Sequence, residues 1–187
     1  PNRVVFNMDW FELEYIGTDA DTVVRLEGEA YTSGGSRSIN HWDNAGADRD
    51  LLSGGDGLMV EGGTPPRKVT YTLTAPYTGD YKISGYVNRL NDIDHSSFMI
   101  QNGDSSININ SSTATQNMDK PIKGCGCLVY YETTLNDTIH LEKGENNITV
   151  FAYGNSYANR IFGGFDYLDF KYVSAGAKPS LVFEAEN

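Results

Sequence analysis

The chain has 187 residues, 14 of them Lys or Arg and 25 Asp or Glu, for a net charge of −11. A surface that neutralises phosphates needs an excess of cations, so nucleic-acid binding and attachment to anionic membranes are not expected. No apolar run approaches the ~18 residues of a membrane span, and no basic-then-apolar leader stands at the N-terminus, but 39% apolar and 12% aromatic residues are enough for a core.

The first element is one half of a repeat. Residues 2–30 align without a gap on residues 159–187, an offset of 157. Asn2, Arg3, Asp9, Tyr15, Ala20, Glu27 and Glu29 are identical to Asn159, Arg160, Asp166, Tyr172, Ala177, Glu184 and Glu186, and most of the apolar positions between them are kept. The alignment predicts a tandem array. Residues 1–16 are then the closing strand of a preceding unit, and 17–22 a linker. Residues 23–173 form a full unit, and 174–187 a linker and the first strand of a following unit. The absence of a leader therefore says little about where the protein goes.

Within the unit the apolar pattern has period two. Val69, Tyr71 and Leu73 alternate with Lys68, Thr70 and Thr72, and Tyr81, Ile83 and Val87 with Lys82, Ser84 and Tyr86. Shorter strands are predicted around Phe98–Ile100 and Ile107–Ile109, then around Ile139–Leu141 and Ile148–Val150. Turns are expected at Thr78-Gly79-Asp80, Asn102-Gly103-Asp104 and Lys143-Gly144-Glu145-Asn146. No stretch has helical period. Many short strands at even spacing predict an all-β chain, an antiparallel sandwich of jelly-roll type. The Gly-, Ser-, Asn- and Asp-rich stretch 32–56 is long for a connection, which marks it as a functional loop.

Several side chains carry possible chemistry. Glu27 and Glu29 are two apart on a predicted strand, so both carboxylates face one way. With Asp166 at the start of the closing strand they make a set of hard oxygens suited to Ca²⁺. The repeat reproduces this set with Asp9, Glu184 and Glu186. Asp43, Asn44, Asp48, Asp50 and Asp56 lack EF-hand spacing and read as a solvated loop. Tyrosine is the commonest aromatic, 12 residues, and a flat ring with a hydroxyl suits sugars, whose C–H faces are apolar and whose rims are polar. Trp42 in the long loop, Tyr86, Tyr130, Tyr131, Tyr153 and Tyr157 are candidates, with Asn88, Asn155, Asn159 and Arg160 as hydrogen-bonding neighbours. Cys125 and Cys127 stand alone, consistent with a strained local disulfide, a link to another chain or free thiols. The histidines are scattered. No metalloprotease, nucleophile-elbow, Walker or dinucleotide motif occurs, so catalysis is not expected. Asn110, Asn136 and Asn147 head glycosylation sequons.

Four segments resemble carbohydrate-binding modules of families 6 and 35. RLEGEAY at 25–31, repeated in part as FEAEN at 183–187, is similar to their opening strand, and GGFDYLDFKYV at 163–173 to their closing strand. VTYTLTAPYTGDYKISGYV at 69–87 and LEKGENNITVFAY at 141–153 resemble two internal hairpins. The resemblance implies a jelly-roll sandwich with a structural Ca²⁺ held by Glu27, Glu29 and Asp166. It also implies a sugar cleft among loops at one end, which carries onto Trp42, Tyr130, Tyr131, Tyr157 and Asn159. Gly164 stands where the family places an Asn, two residues before the closing-strand Asp, although Asn7 occupies that place in the preceding copy. Some relatives bind on a sheet face instead, which points to Tyr86. The expected function is a secreted, non-catalytic polysaccharide-binding module, joined to further repeats or to a catalytic domain. The alternative is a calcium-stiffened structural repeat of an extracellular fibre or surface protein.

Overall fold

The computed structural model describes residues 10–13, 22–34, 37–38, 51–61, 67–90, 98–125, 128–152, 162–174 and 181–184. Two five-stranded antiparallel sheets face one another. The first has the order β10 (Ala114–Cys125), β11 (Leu128–Leu141), β7 (Gly79–Asn88), β14 (Phe165–Ser174), β2 (Val23–Glu27). The second runs β3 (Ser33–Gly34), β6 (Arg67–Ala75), β12 (Gly144–Ala152), β8 (Phe98–Asn102), β9 (Ser105–Ile109). A small sheet joins β13 (Phe162–Gly163), β5 (Leu58–Glu61) and β4 (Arg37–Ser38), and a two-stranded ribbon pairs β1 (Trp10–Leu13) with β15 (Leu181–Glu184). The antiparallel β-sandwich expected from the alternation is the fold. Among the described residues the only helical element is a 3-10 turn at Ser53–Gly55, and no helix is long and apolar enough to cross a membrane.

The alternation decides which way each strand faces. In β6, Val69, Tyr71 and Leu73 are buried while Arg67, Lys68, Thr72 and Thr74 are exposed; in β7, Tyr81, Ile83 and Val87 are buried. The core fills the space between the sheets. The ring of Phe165 on β14 lies 5.9 Å from that of Tyr71 and 6.3 Å from that of Phe98, so β6, β8 and β14 meet at one residue. Burying side chains of this size supplies most of the cohesion, about 1.5–3 kcal/mol each before entropy is charged against it.

Two elements depart from the sequence reading. Residues 114–125 form β10, and β11 begins at Leu128, well ahead of the strand predicted around Ile139. The 114–125 segment is polar, and its ladder with β11 breaks between Asn117 and Ile122. A bulge of this kind erases the period of two. Glu29 is not on a strand: β2 ends at Glu27, and residues 28–29 are a turn.

A second bulge positions the site. Along β14 the register against β7 slips between Phe165 and Leu168. Phe165 and Leu168 both point into the core, and Asp166 and Tyr167 are inserted between them.

Candidate functional site: a carboxylate pocket beside an aromatic sheet face

The end of β2, the start of β14 and the segment 51–57 converge on a small acidic pocket. Gly28 N–H donates to Asp166 O at 2.8 Å, and Ala30 N–H to Glu27 O at 3.1 Å, which turns the chain sharply after β2. Gly28 is required there. A Cβ at this position would collide with the backbone oxygens of Phe165 and Asp166 and with the nitrogen of Leu58. Gly54 has φ +64°, and a Cβ on it would strike Glu29 Oε1, so glycine also lets the 3-10 turn sit on that carboxylate.

The three carboxylates expected as metal ligands, Glu27, Glu29 and Asp166, lie near enough for their charges to act on one another. Asp166 is fully buried, and both its oxygens accept from Ser53 N–H, at 3.0 and 3.2 Å. Ser53 Oγ donates to Glu27 Oε1 at 2.8 Å. The other oxygens, Glu27 Oε2 and Glu29 Oε2, are buried without a hydrogen-bond partner. Burial, opposed by the Ser53 bond and reinforced by the charges of Glu27 and Glu29, pushes the Asp166 carboxyl up to about 7. Burial, with the charges of Glu27 and Asp56, also raises Glu29.

A fourth carboxylate belongs here. Asp56, read from sequence as part of a solvated loop, is buried; it accepts from Gly57 N–H at 2.8 Å and acts electrostatically on Glu29. Its possible companions Asp43, Asn44, Asp48 and Asp50 lie outside the described residues.

Two orphaned carboxylate oxygens and a desolvated Asp are what a hard cation would satisfy. The donor chemistry fits Ca²⁺. The shell is open, however. Among the described residues no three His, Cys, Asp or Glu side chains converge as a metal-binding group. Among the described residues, any further oxygens would come from backbone or water.

The outer face of the first sheet borders this pocket. Tyr86 on β7 and Tyr167 on β14 are half-buried, with ring centroids 5.8 Å apart and planes tilted by 46°. Arg25 on β2 lies with its Cζ 3.7 Å from the Tyr167 ring centroid and forms a two-pronged pair with Asp169, Nε to Oδ1 and Nη2 to Oδ2, each 2.7 Å. Because β14 lies between β7 and β2, Tyr167 stands between Tyr86 and Arg25. The side of Tyr86 away from Tyr167 faces β11. There Glu132 sits directly opposite it and accepts from Asn117 Nδ2 at 3.2 Å. Ser84 lines the same face.

The sugar-binding residues expected from sequence do not assemble here. Tyr130 is fully buried, and its hydroxyl donates to Leu58 O at 3.0 Å, so its role is to anchor β5 to β11 and it has no face open to a ligand. Tyr131 is half-buried, opposite the core residue Val87, on the other side of the sheet from Tyr86. Trp42, Tyr153, Asn155, Tyr157, Asn159, Arg160 and Cys127 lie outside the described residues. Asn88 is buried, and its Oδ1 accepts from Gly164 N–H at 3.2 Å; it tethers the start of β14. Sequence reading passed over Tyr167, Arg25 and Asp169. The available signal was the alternation of β14, which puts residues 167, 169 and 171 on the face opposite Leu168 and Phe170.

No protein-family model and no curated protein matches this chain. Among solved structures it is similar to the Podospora anserina GH26-CBM35 beta-(1,4)-mannanase, with a TM-score of 0.49 and 14% sequence identity over 82% of this chain. The match takes in 28% of the mannanase chain.

Proposed function

We propose that this chain is a non-catalytic carbohydrate-binding module of a secreted protein, with a calcium ion as structural cofactor and a polysaccharide as ligand. One observation carries the reading: the half-buried Tyr86 on an outer sheet face, with a carboxylate and an amide beside it. A pyranose ring laid across β7 and β11 would place its C–H face on Tyr86 and its hydroxyls within reach of Glu132, Asn117 and Ser84. The tilt between Tyr86 and Tyr167 suits a single twisted glycan chain better than a flat crystalline surface. Contact of this size gives weak binding per module, and linked copies of a module would raise it through effective concentration. In this reading the Ca²⁺ would be held by Glu27, Glu29 and Asp166, would neutralise the pocket and would hold the segment 51–57 against β2 and β14.

The test is a panel of polysaccharides in affinity gels, run with the intact chain and with Tyr86→Ala. Retardation by at least one glycan, lost in the variant, is expected. No retardation by any glycan, with an unchanged fold by circular dichroism, would sink the reading.

A second reading has its own support. Tyr167 is flanked by Tyr86 and Arg25, and Arg25 is held by Asp169, so most of this face is already paired within the sheet. That favours a calcium-stiffened structural repeat of a fibre or surface protein without a sugar site.

A further inference from the structure

Among the described residues the ribbon β1–β15 shares no ladder with either sheet of the sandwich, and its register is informative. Its pairs are Trp10↔Glu184, Phe11↔Phe183, Glu12↔Val182 and Leu13↔Leu181. Shifted by the repeat offset of 157, each becomes a pair of the β2–β14 ladder: Tyr167↔Glu27, Leu168↔Leu26, Asp169↔Arg25 and Phe170↔Val24. The ribbon therefore reproduces the seam at which the unit's closing strand meets its opening strand. The arms that lead to it are matched in length. Nine residues, 14–22, separate Leu13 from Val23, and nine, 172–180, separate Lys171 from Leu181. They start side by side, with Tyr172 N–H donating to Thr22 O at 3.0 Å.

The two seams differ in one respect. In the sandwich β14 is also paired to β7 on its far side. In the ribbon β1 and β15 pair only with each other among the described residues. A two-stranded ladder of four pairs is marginal in water. What holds it within one chain is the effective concentration set by two short arms, on the order of millimolar. The same four pairs can form between two copies in the same register. Reciprocal exchange would make two ladders at once and close with two-fold symmetry, the low-cost route to a dimer.

We propose that residues 10–13 and 181–184 are a strand-exchange seam whose partner is a second copy of this chain. β15 of one copy pairs with β1 of the other, in the register of the intrachain ribbon, and both ladders of the dimer are of this mixed kind. The seam is an association device independent of any sugar site.

The test is disulfide trapping of the full chain. Phe11→Cys/Phe183→Cys is made in a Cys125→Ser/Cys127→Ser background whose fold is checked by circular dichroism. It is oxidised at about 10 μM and at about 1 mM, below and near the effective concentration of the arms. The expected result is an internally cross-linked monomer at the low concentration and a doubly linked dimer at the high one. The out-of-register variant Phe11→Cys/Val182→Cys should give neither product in comparable yield, because neighbouring strand residues point to opposite faces. Cross-linked monomer alone at both concentrations overturns exchange. Equal cross-linking of the two variants, or none of either, overturns the seam itself. A monomeric background protein at about 1 mM in light scattering also counts against the proposal.

Discussion

The acidic pocket and the tyrosine face share β2 and β14, yet they treat polar groups in opposite ways. In the pocket, carboxylates are buried, repel one another and leave two oxygens without partners. On the face, Arg25 and Asp169 satisfy each other and the rings stack against their neighbours. A buried unpaired charge is costly, and a paired, partly exposed one is nearly neutral. The pocket therefore needs something the described residues do not supply, and the face does not. That contrast is why a cation is proposed at the first and a loosely held glycan at the second.

The largest expected effect comes from breaking the pocket's frame. Gly28→Ala forces a methyl into three backbone atoms and should destabilise by about 3 kcal/mol, seen as a lower urea midpoint with unchanged slope. A destabilisation below about 0.5 kcal/mol would show that the turn after β2 is not fixed as described.

Calcium comes next. At a hundredfold excess over its dissociation constant the ion should stabilise by about 2.7 kcal/mol, raising the melting midpoint by roughly 5–10 °C over the chelated protein. The gain should shrink in Glu27→Gln. An unchanged midpoint with and without chelator removes the metal from the pocket. The pH dependence sharpens this. The Asp166 carboxyl is raised to about 7 in the folded chain, against an ordinary value of 3.8. The folded state thus binds more protons than the unfolded between those values. Without a cation, this contribution to stability is fully present below pH 3.8 and is lost as pH rises through 7. The calcium effect should accordingly be larger at pH 8 than at pH 5.5. Chelated protein whose melting midpoint rises across that interval would contradict the assignment.

Effects on the face should be smaller for the fold. Tyr86→Ala should cost about 1 kcal/mol of stability, through the lost ring contact, and about tenfold in glycan affinity. If instead stability falls by about 3 kcal/mol and no glycan binding is measurable in the parent, the face is structural. Asp169→Asn should be the mildest, within about 1 kcal/mol by denaturant melts, because the Arg25 side chain is 43% exposed and solvent screens the pair.

How much of this was legible in sequence depends on how local the signal was. Alternation exposed β6, β7 and β12 because each has one face in the core and one in solvent. It failed for 114–125, where the ladder breaks and polar side chains lie on both faces. Glu27, Glu29 and Asp166 were legible as a set because the repeat presents an equivalent set at Asp9, Glu184 and Glu186. Asp56 was not, since nothing in a Gly-Asp-Gly stretch says that a loop folds inward beneath β2. Tyr130 looked like Tyr86 in sequence, an aromatic not obviously in the core. Only the tertiary fold buries it and brings Leu58 O on β5 to its hydroxyl.

By itself, then, the sequence determined the β class, the two faces of the alternating strands, the internal alignment at an offset of 157 and the identity of the acidic residues, all of which are written in spacing along the chain. The tertiary structure decided which of those acids lose their water, which tyrosine is fully buried, and that β1 meets β15. Those outcomes depend on which distant segments come into contact, and desolvation and pairing are properties of contacts rather than of residues.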